Sequence, residues 1–173
     1  MPRVSFIKII NYLELLAANH VDIKKAYRWN VSEVSGKLRS GIELPVMLID
    51  AVETQTKGDK TKTIHNNSTA VTILGKPNTS TGNLDQYEAQ NEVLDFCQQI
   101  CFDIEQRIIY DATQVKDSNG NKNWLYGMVD KNSFHFFKIG PLFSDGLYGY
   151  RFELSLSNKI SSCVDETKWK DLN

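Results

Sequence analysis

The chain has 173 residues and a formal net charge of −1 at pH 7, from 20 Lys and Arg against 21 Asp and Glu. This length predicts a single domain with a hydrophobic core, and the balanced charge argues against a protein that binds nucleic acid over a broad surface, which usually requires a basic excess. The apolar runs are much shorter than the about 20 residues that cross a membrane, and the N-terminus lacks the pattern of a signal peptide. We therefore expect no membrane segment, and we expect the 3 cysteines to be reduced thiols.

The first predicted elements are a helix and a strand. Between Ser5 and Asn19, apolar residues recur at steps of three and four, which predicts an amphipathic helix with Ser5 as its N-cap. From Lys25 to Ser32, large apolar residues alternate with polar ones, which is typical of a half-buried strand.

A polar hairpin joins the next two predicted strands. Leu44 to Thr54 is the most apolar strand candidate, with Pro45 near its start, where a missing N–H group is tolerated. Gln55 to Lys62 is interpreted as a polar hairpin tip, and Ile64 to Leu74 returns as the second strand. Its Asn66-Asn67-Ser68 segment predicts a bulge or a strand in two parts.

The longest predicted element is a helix from Asn83 to Asp111, whose apolar stripe is wide enough to lie on a sheet. A turn follows at residues 116–123, centred on Asn119-Gly120. Three strands complete the pattern: Trp124 to Val129, Ser133 to Phe143 and Leu147 to Ser157.

This order of elements predicts an α+β fold. Because the strands occur in adjacent pairs, we expect a mainly antiparallel sheet, with the long helix packed across one face and an N-terminal helix beside it. Residues 1–158 are assigned to a single α+β domain, and residues 159–173 to a polar C-terminal extension.

The stretch TILGKPNTSTGNLD, from Thr72 to Asp85, contains the parts of a nucleotide-binding loop: a strand end, a Gly-Lys pair, hydroxyl residues and a helix start. A P-loop requires the pattern GxxxxGK[ST], with the lysine at the start of the helix. Here Gly75 stands alone, and Lys76 is followed by Pro77, which removes a backbone donor. A plain strand-to-helix connection is therefore favoured.

Two other pairs of side chains suggest metal binding but fit simpler explanations. Cys97 and Cys101 lie four residues apart on the apolar stripe of the long helix, without the second ligand pair that a closed zinc site requires. Asp50 and Glu53 end a buried strand, but the acid-x-Lys pair of a nuclease site does not follow them. We expect no catalytic residue, no cofactor and no metal.

The C-terminal strands are rich in aromatic residues. Phe136 and Phe137 are adjacent and must point to opposite faces of a strand, so we expect the sheet to be covered on both sides. Phe137, with Tyr148 and Tyr150 of the next strand, is a candidate interface residue. In a chain without a catalytic signature, the second cover can be a neighbouring subunit.

The order of elements resembles that of tailed-phage tail terminators and the related tail-completion or neck proteins. The matching parts are the helix from Phe6 to Leu16, the strand pair Leu44 to Thr54 and Ile64 to Leu74, the helix from Asn83 to Asp111, and the closing strands FHFFKIGPLF and GLYGYRFELSLS. The resemblance implies a non-enzymatic ring, commonly a hexamer, that joins or caps the tail around the DNA path without reading its sequence. It further implies the tail tube or the portal and neck proteins as partners, at most non-specific proximity to DNA, and a place in the virion after assembly in the host cytoplasm.

Lysines on the two polar turns are the other candidate interface residues, because polar hairpin tips can reach a neighbouring subunit in a ring. They are Lys57, Lys60, Lys62, Lys116 and Lys122.

Two other functions stay open. The first is a small metal-dependent nuclease or hydrolase, built around Asp50, Glu53 and a histidine. The second is a monomeric adaptor or immunity-type binding module, which would use the aromatic C-terminal strands.

Overall fold

The structure, a computed structural model, describes residues 4–28, 42–58, 63–78, 86–142, 146–160 and 165–171. Its helices and strands, in chain order, are α1 (Phe6–Asn19), β1 (Lys25–Arg28), β2 (Val46–Ile49), β3 (Glu53–Gly58), β4 (Thr63–Gly75), α2 (Gln86–Thr113), β5 (His135–Leu142) and β6 (Leu147–Lys159). Two short 3-10 helices lie at Lys131–Ser133 and Glu166–Lys168.

The strands form one sheet in the order β1-β2-β4-β6-β5, and β3 pairs with β4 beside β2. The pair β1–β2 is parallel, and every other pair is antiparallel. The prediction of an α+β fold with a mainly antiparallel sheet and a long helix across one face is confirmed.

The helices and the sheet enclose the main core. Helix α1 begins as expected, because the Ser5 hydroxyl accepts a hydrogen bond from the Lys8 N–H at 3.4 Å. Helix α1 packs on β1 and β2, and α2 packs on β4 and β6. Fully buried side chains of this core include Ile9, Leu13, Ile73, Ile100, Ile104 and Phe152. Each contributes about 1.5–3 kcal/mol through removal of apolar surface from water.

A smaller apolar cluster lies on the opposite face of the sheet, which we call the outer face. It contains Val46, Leu48, Leu74 and Leu147, all of them buried. The sheet is thus covered with apolar contacts on both faces around β2, while polar side chains predominate on the outer face further along β4 and β6.

The prediction of a single strand from Leu44 to Thr54 is wrong. Two strands, β2 and β3, lie end to end along one edge of β4, with a break at residues 50–52. The prediction of a bulge or a two-part strand at Asn66-Asn67-Ser68 is also wrong. Strand β4 is continuous through these residues, and the break lies between its partners β2 and β3. The first half of the expected hairpin tip, Gln55 to Gly58, is strand, and residues 59–62 lie outside the described ranges.

Strand β3 pairs with residues 63–68 of β4, which pair in turn with residues 155–159 of β6. We call these three stretches the arm. All six residues of β3 are exposed, and neither helix makes an extended contact with β3. Strand β3 therefore extends the sheet beyond the part that the helices cover, whereas Leu156, on the inner side of the arm, is still buried in the main core.

The expected strand from Trp124 to Val129 is wrong as well. The Asn123 amide donates to the carbonyl oxygens of Asp111 at 2.6 Å and Gln114 at 2.9 Å, and its side-chain oxygen accepts from the Leu125 N–H at 3.0 Å. These bonds fold the segment into turns against the end of α2, and a single bridge from Val129 to β6 remains.

Candidate assembly surfaces

A partly buried ion pair lies at the break between β2 and β3. Asp50 directly follows β2, and Arg151 lies in β6 opposite Thr72 of β4. One Arg151 nitrogen donates to an Asp50 oxygen at 3.1 Å and to the Thr72 hydroxyl at 3.2 Å, and the other donates to the second Asp50 oxygen. This two-point geometry is the strong form of an arginine–carboxylate contact.

Two aromatic rings, of Phe137 and His135, lie next to this ion pair on the outer face. The Arg151 guanidinium lies 5.9 Å from the ring centre of Phe137, which is the range of a cation–π contact. The Phe137 ring lies 5.8 Å from the His135 ring, and His135 pairs with Glu153 in the sheet register.

The ion pair borders a shallow polar pocket of about 340 Å³. Its lining combines carboxylates with hydroxyl groups, namely Asp50, Glu53, Glu153, Ser68, Ser133 and Ser155, beside Arg151. Asp50 is occupied by Arg151, whereas Glu53 and Glu153 are exposed and form no ion pair with any described residue. The pocket therefore carries two carboxylates that no described residue neutralises, and it favours a cationic group.

The outer face of the arm carries a row of polar side chains, which we call the charged strip. Since directly paired residues point to the same side of a sheet, the register fixes its rows. The first holds Lys57 and Lys159 on either side of Ile64, the second Gln55, Asn66 and Ser157, and the third Glu53, Ser68 and Ser155, with Glu153 one row further, just beyond the arm. The strip therefore runs from basic to acidic.

The five candidate lysines do not form one group. Lys57 lies in β3, and Lys60 and Lys62 lie outside the described residues. Lys116 and Lys122 face each other in an isolated bridge across the turn after α2. This turn adjoins α1 rather than the arm, because Lys116 and Tyr12 line one cavity.

The three candidate aromatic residues lie on two faces. Phe137 is on the outer face beneath Arg151. Tyr150 packs partly against the main core on the helix side, and strand alternation places Tyr148 on that side too. All three are half-buried. The expectation that Phe136 and Phe137 point to opposite faces is confirmed, since Phe136 packs against the main core.

The cysteine pair and the Gly-Lys pair both have structural explanations. Cys97 and Cys101 are fully buried in the main core, and burial raises the pKa of the Cys97 thiol to about 12. Gly75 lies beneath α2, where an added Cβ would be 2.5 Å from Val93 Cγ2. The glycine thus permits close packing of the helix on the end of β4.

A second cavity, of about 450 Å³, lies between α1, the end of α2 and the following turn. The Tyr12 hydroxyl donates to Asp111 at 2.9 Å, and the Tyr12 and Trp124 rings meet edge to face with centres 5.7 Å apart. Leu15 and Tyr110 line the cavity and are 57% and 60% exposed. This surface is more apolar than the arm.

Sequence reasoning missed Arg151 and Glu153 as site residues. The alternation in β6 does place both on a polar side, but their partners are distant in the chain. Asp50 was singled out, although for metal binding. Among the described residues, no group of three or more His, Cys, Asp or Glu side chains could hold a metal ion.

No known protein-family model matches the chain, and no curated protein is significantly similar to it in sequence. Within the described ranges, neither helix is both long and apolar enough to cross a membrane.

Proposed function

We propose that the protein is a non-enzymatic structural component of a phage tail or neck, forming a ring that joins or caps the tail around the DNA path. The arm is the observation that carries this proposal. Its outer face is polar, with exposed charged residues on β3 and at Lys159 and half-buried polar residues between them, so it adds little of the apolar burial that stabilises a single subunit. Such a face is suited to contacts between copies, which in a ring use two different surfaces of each subunit.

The partners in this proposal are further copies of the chain, commonly six in the family that it resembles, and the tail tube or the portal and neck proteins. The protein would be assembled in the host cytoplasm and retained in the virion. A net charge of −1 supports a component that lets DNA pass, since strong binding to the DNA backbone requires many Lys and Arg contacts.

Light scattering after gel filtration, followed by negative-stain imaging, tests this proposal. The purified protein is measured alone and after mixing with candidate tube, portal and neck proteins. We expect closed rings, either alone or on a partner. A protein that stays monomeric and joins none of these virion components would disprove the ring.

The two alternative functions predict other results. A nuclease or hydrolase would cleave its substrate with a divalent metal and lose that activity in Asp50→Ala. The Arg151 contact leaves Asp50 poorly placed for this role, because both carboxylate oxygens are already bound. An adaptor or immunity-type module would be monomeric alone and form a complex with one soluble partner.

A further inference from the structure

We propose that the charged strip is the contact between copies of this chain, in which the basic end of one arm lies on the acidic pocket of the next. This inference rests on the proposed ring and deepens it, because it names the surfaces that meet. It commits to a second copy as the occupant of the strip, on the ground of charge complementarity.

The basic end presents two lysines on one face. Lys57 and Lys159 flank Ile64 of β4 in the same register row, so their backbones are about 10 Å apart, twice the usual strand spacing. Both lysines are exposed, and neither forms an ion pair with a described residue. The two lysines therefore present exposed positive charges from backbone positions that the sheet fixes.

The acidic end presents two carboxylates around a pocket. Glu53 pairs with Ser68, and Glu153 pairs with Ala70, so the two acids stand diagonally on either side of β4. Asp50 and Arg151 neutralise each other, so Arg151 does not offset the negative charges of Glu53 and Glu153. Hydroxyl groups of Ser68 and Ser155, which lie 2.9 Å apart, add hydrogen-bond acceptors for an ammonium group.

Small polar side chains separate the two ends. The Ser157 hydroxyl donates to the Asn66 side-chain oxygen at 2.9 Å, so these two groups are already paired with each other. Lys57 and Glu53 are four residues apart in β3, or about 13 Å at the rise of a strand. Because the opposite charges lie at separate ends of the strip, the basic end of one copy can contact the acidic end of the next while its own acidic end stays available for a third copy.

Two other occupants fit less well. A nucleic acid strand along the arm would bind the lysines but meet Glu53 and Glu153 on the same face, where phosphates are repelled. A metal ion in the pocket would find no group of three ligands among the described residues.

Charge reversal at each end tests the inference. The first variant combines Lys57→Glu with Lys159→Glu, and the second combines Glu53→Lys with Glu153→Lys. All four side chains are exposed, so folding should persist, as checked by circular dichroism and the urea midpoint. We expect each variant alone to weaken self-association about tenfold or more, and an equal mixture of both to restore it, because opposite charges then meet again. Neutral substitutions remove the charges without reversing them and should weaken self-association less. They are Lys57→Gln with Lys159→Gln, and Glu53→Gln with Glu153→Gln.

Matched controls carry the same charge changes elsewhere. They are Lys168→Glu with Lys170→Glu and Glu92→Lys with Asp95→Lys, all at exposed positions, and they should associate like the wild type. If the wild type and every variant form equal rings, the strip inference is overturned while the ring function stands. If association depends on the strip but yields only open dimers that join no virion component, the inference stands and the ring function fails. A monomer under all conditions would overturn both.

Discussion

The Arg151 guanidinium binds both carboxylate oxygens of Asp50, which lies 101 residues earlier in the chain. The contact crosses β4 and bonds to its Thr72 hydroxyl on the way. It therefore links the end of β2 to β6 across the central strand β4, next to the break between β2 and β3.

We expect the variants Asp50→Ala and Arg151→Ala to lower the free energy of unfolding by about 1–2 kcal/mol each, because each leaves a charge with little access to water. The Asp50 and Arg151 side chains are 24% and 21% exposed. The double variant should cost less than the sum of the two, with a coupling of about 1 kcal/mol. Urea unfolding of all four proteins measures this coupling.

The exposed pair of Lys168 with Asp165, whose side chains are 76% and 54% exposed, provides the control. Asp165→Ala should leave the urea midpoint close to that of the wild type, as is usual for surface ion pairs. Additive effects of Asp50→Ala and Arg151→Ala would show that the two residues act separately.

The helices could be predicted from the sequence because their signals are local. Ser5 caps α1, and the periodic stripe of α2 correctly places Cys97 and Ile104 in the core. The segment from Trp124 to Val129 has the composition of a strand, yet it folds into turns because the Asn123 side chain binds three backbone groups. Two of these backbone groups belong to Asp111 and Gln114 at the end of α2. The residues from Trp124 to Val129 alone therefore do not predict the turns.

The site was harder to predict for the same reason. The alternation in β6 places Arg151 on the polar side of its strand. Its partner becomes evident only when the register of β4 and β6 is known, together with the break after β2. Similarly, Lys57 and Lys159 are 102 positions apart in the chain. Only the pairing of both residues with Ile64 of β4 places them in one row of the sheet.

Gly149 is expected to be indispensable for the packing of β6 on β4. A Cβ at this position would be 1.8 Å from the Ile73 carbonyl oxygen, and a backbone atom in a sheet cannot easily move away. Gly149→Ala should lower the free energy of unfolding by about 2–3 kcal/mol or more, at the upper end for overpacked sites. The urea midpoint measures this loss.

Gly120→Ala is the matched control, because Gly120 has open space around it and a φ of +78°. Its expected cost is the strain of a left-handed residue, about 1–2 kcal/mol. Equal costs for the two variants would contradict the close approach of Gly149 to Ile73.

The buried thiols of α2 should be unreactive in the folded protein. Burial raises the pKa of Cys97 to about 12, and burial together with the neighbouring Cys97 raises the pKa of Cys101 further above its usual range. Both are therefore protonated near about pH 8, where only the thiolate reacts. A Cys163→Ser variant should react with Ellman's reagent at two sites in concentrated guanidinium chloride and at neither site without it. Rapid labelling of the folded variant would contradict this burial.

Tyr12 should make stability depend on alkaline pH. Its hydroxyl donates to Asp111 at 2.9 Å, and burial, followed by the Asp111 charge and this hydrogen bond, raises the pKa of Tyr12 well above its ordinary value. Near neutral pH, Tyr12→Phe should lower the free energy of unfolding by about 1–2 kcal/mol, since it removes a hydrogen bond to a charged group.

Above about pH 10, the unfolded Tyr12 loses its proton whereas the folded one keeps it. The folded state then binds more protons than the unfolded state, so stability falls as the pH rises. Tyr12→Phe lacks this loss, and the difference between the wild type and the variant should narrow between pH 9 and 11 in urea unfolding. Tyr87→Phe, at a position 73% exposed, should run parallel to the wild type over the same range. A constant difference for Tyr12→Phe would mean that Tyr12 ionises alike in both states and that the contact with Asp111 does not hold its proton.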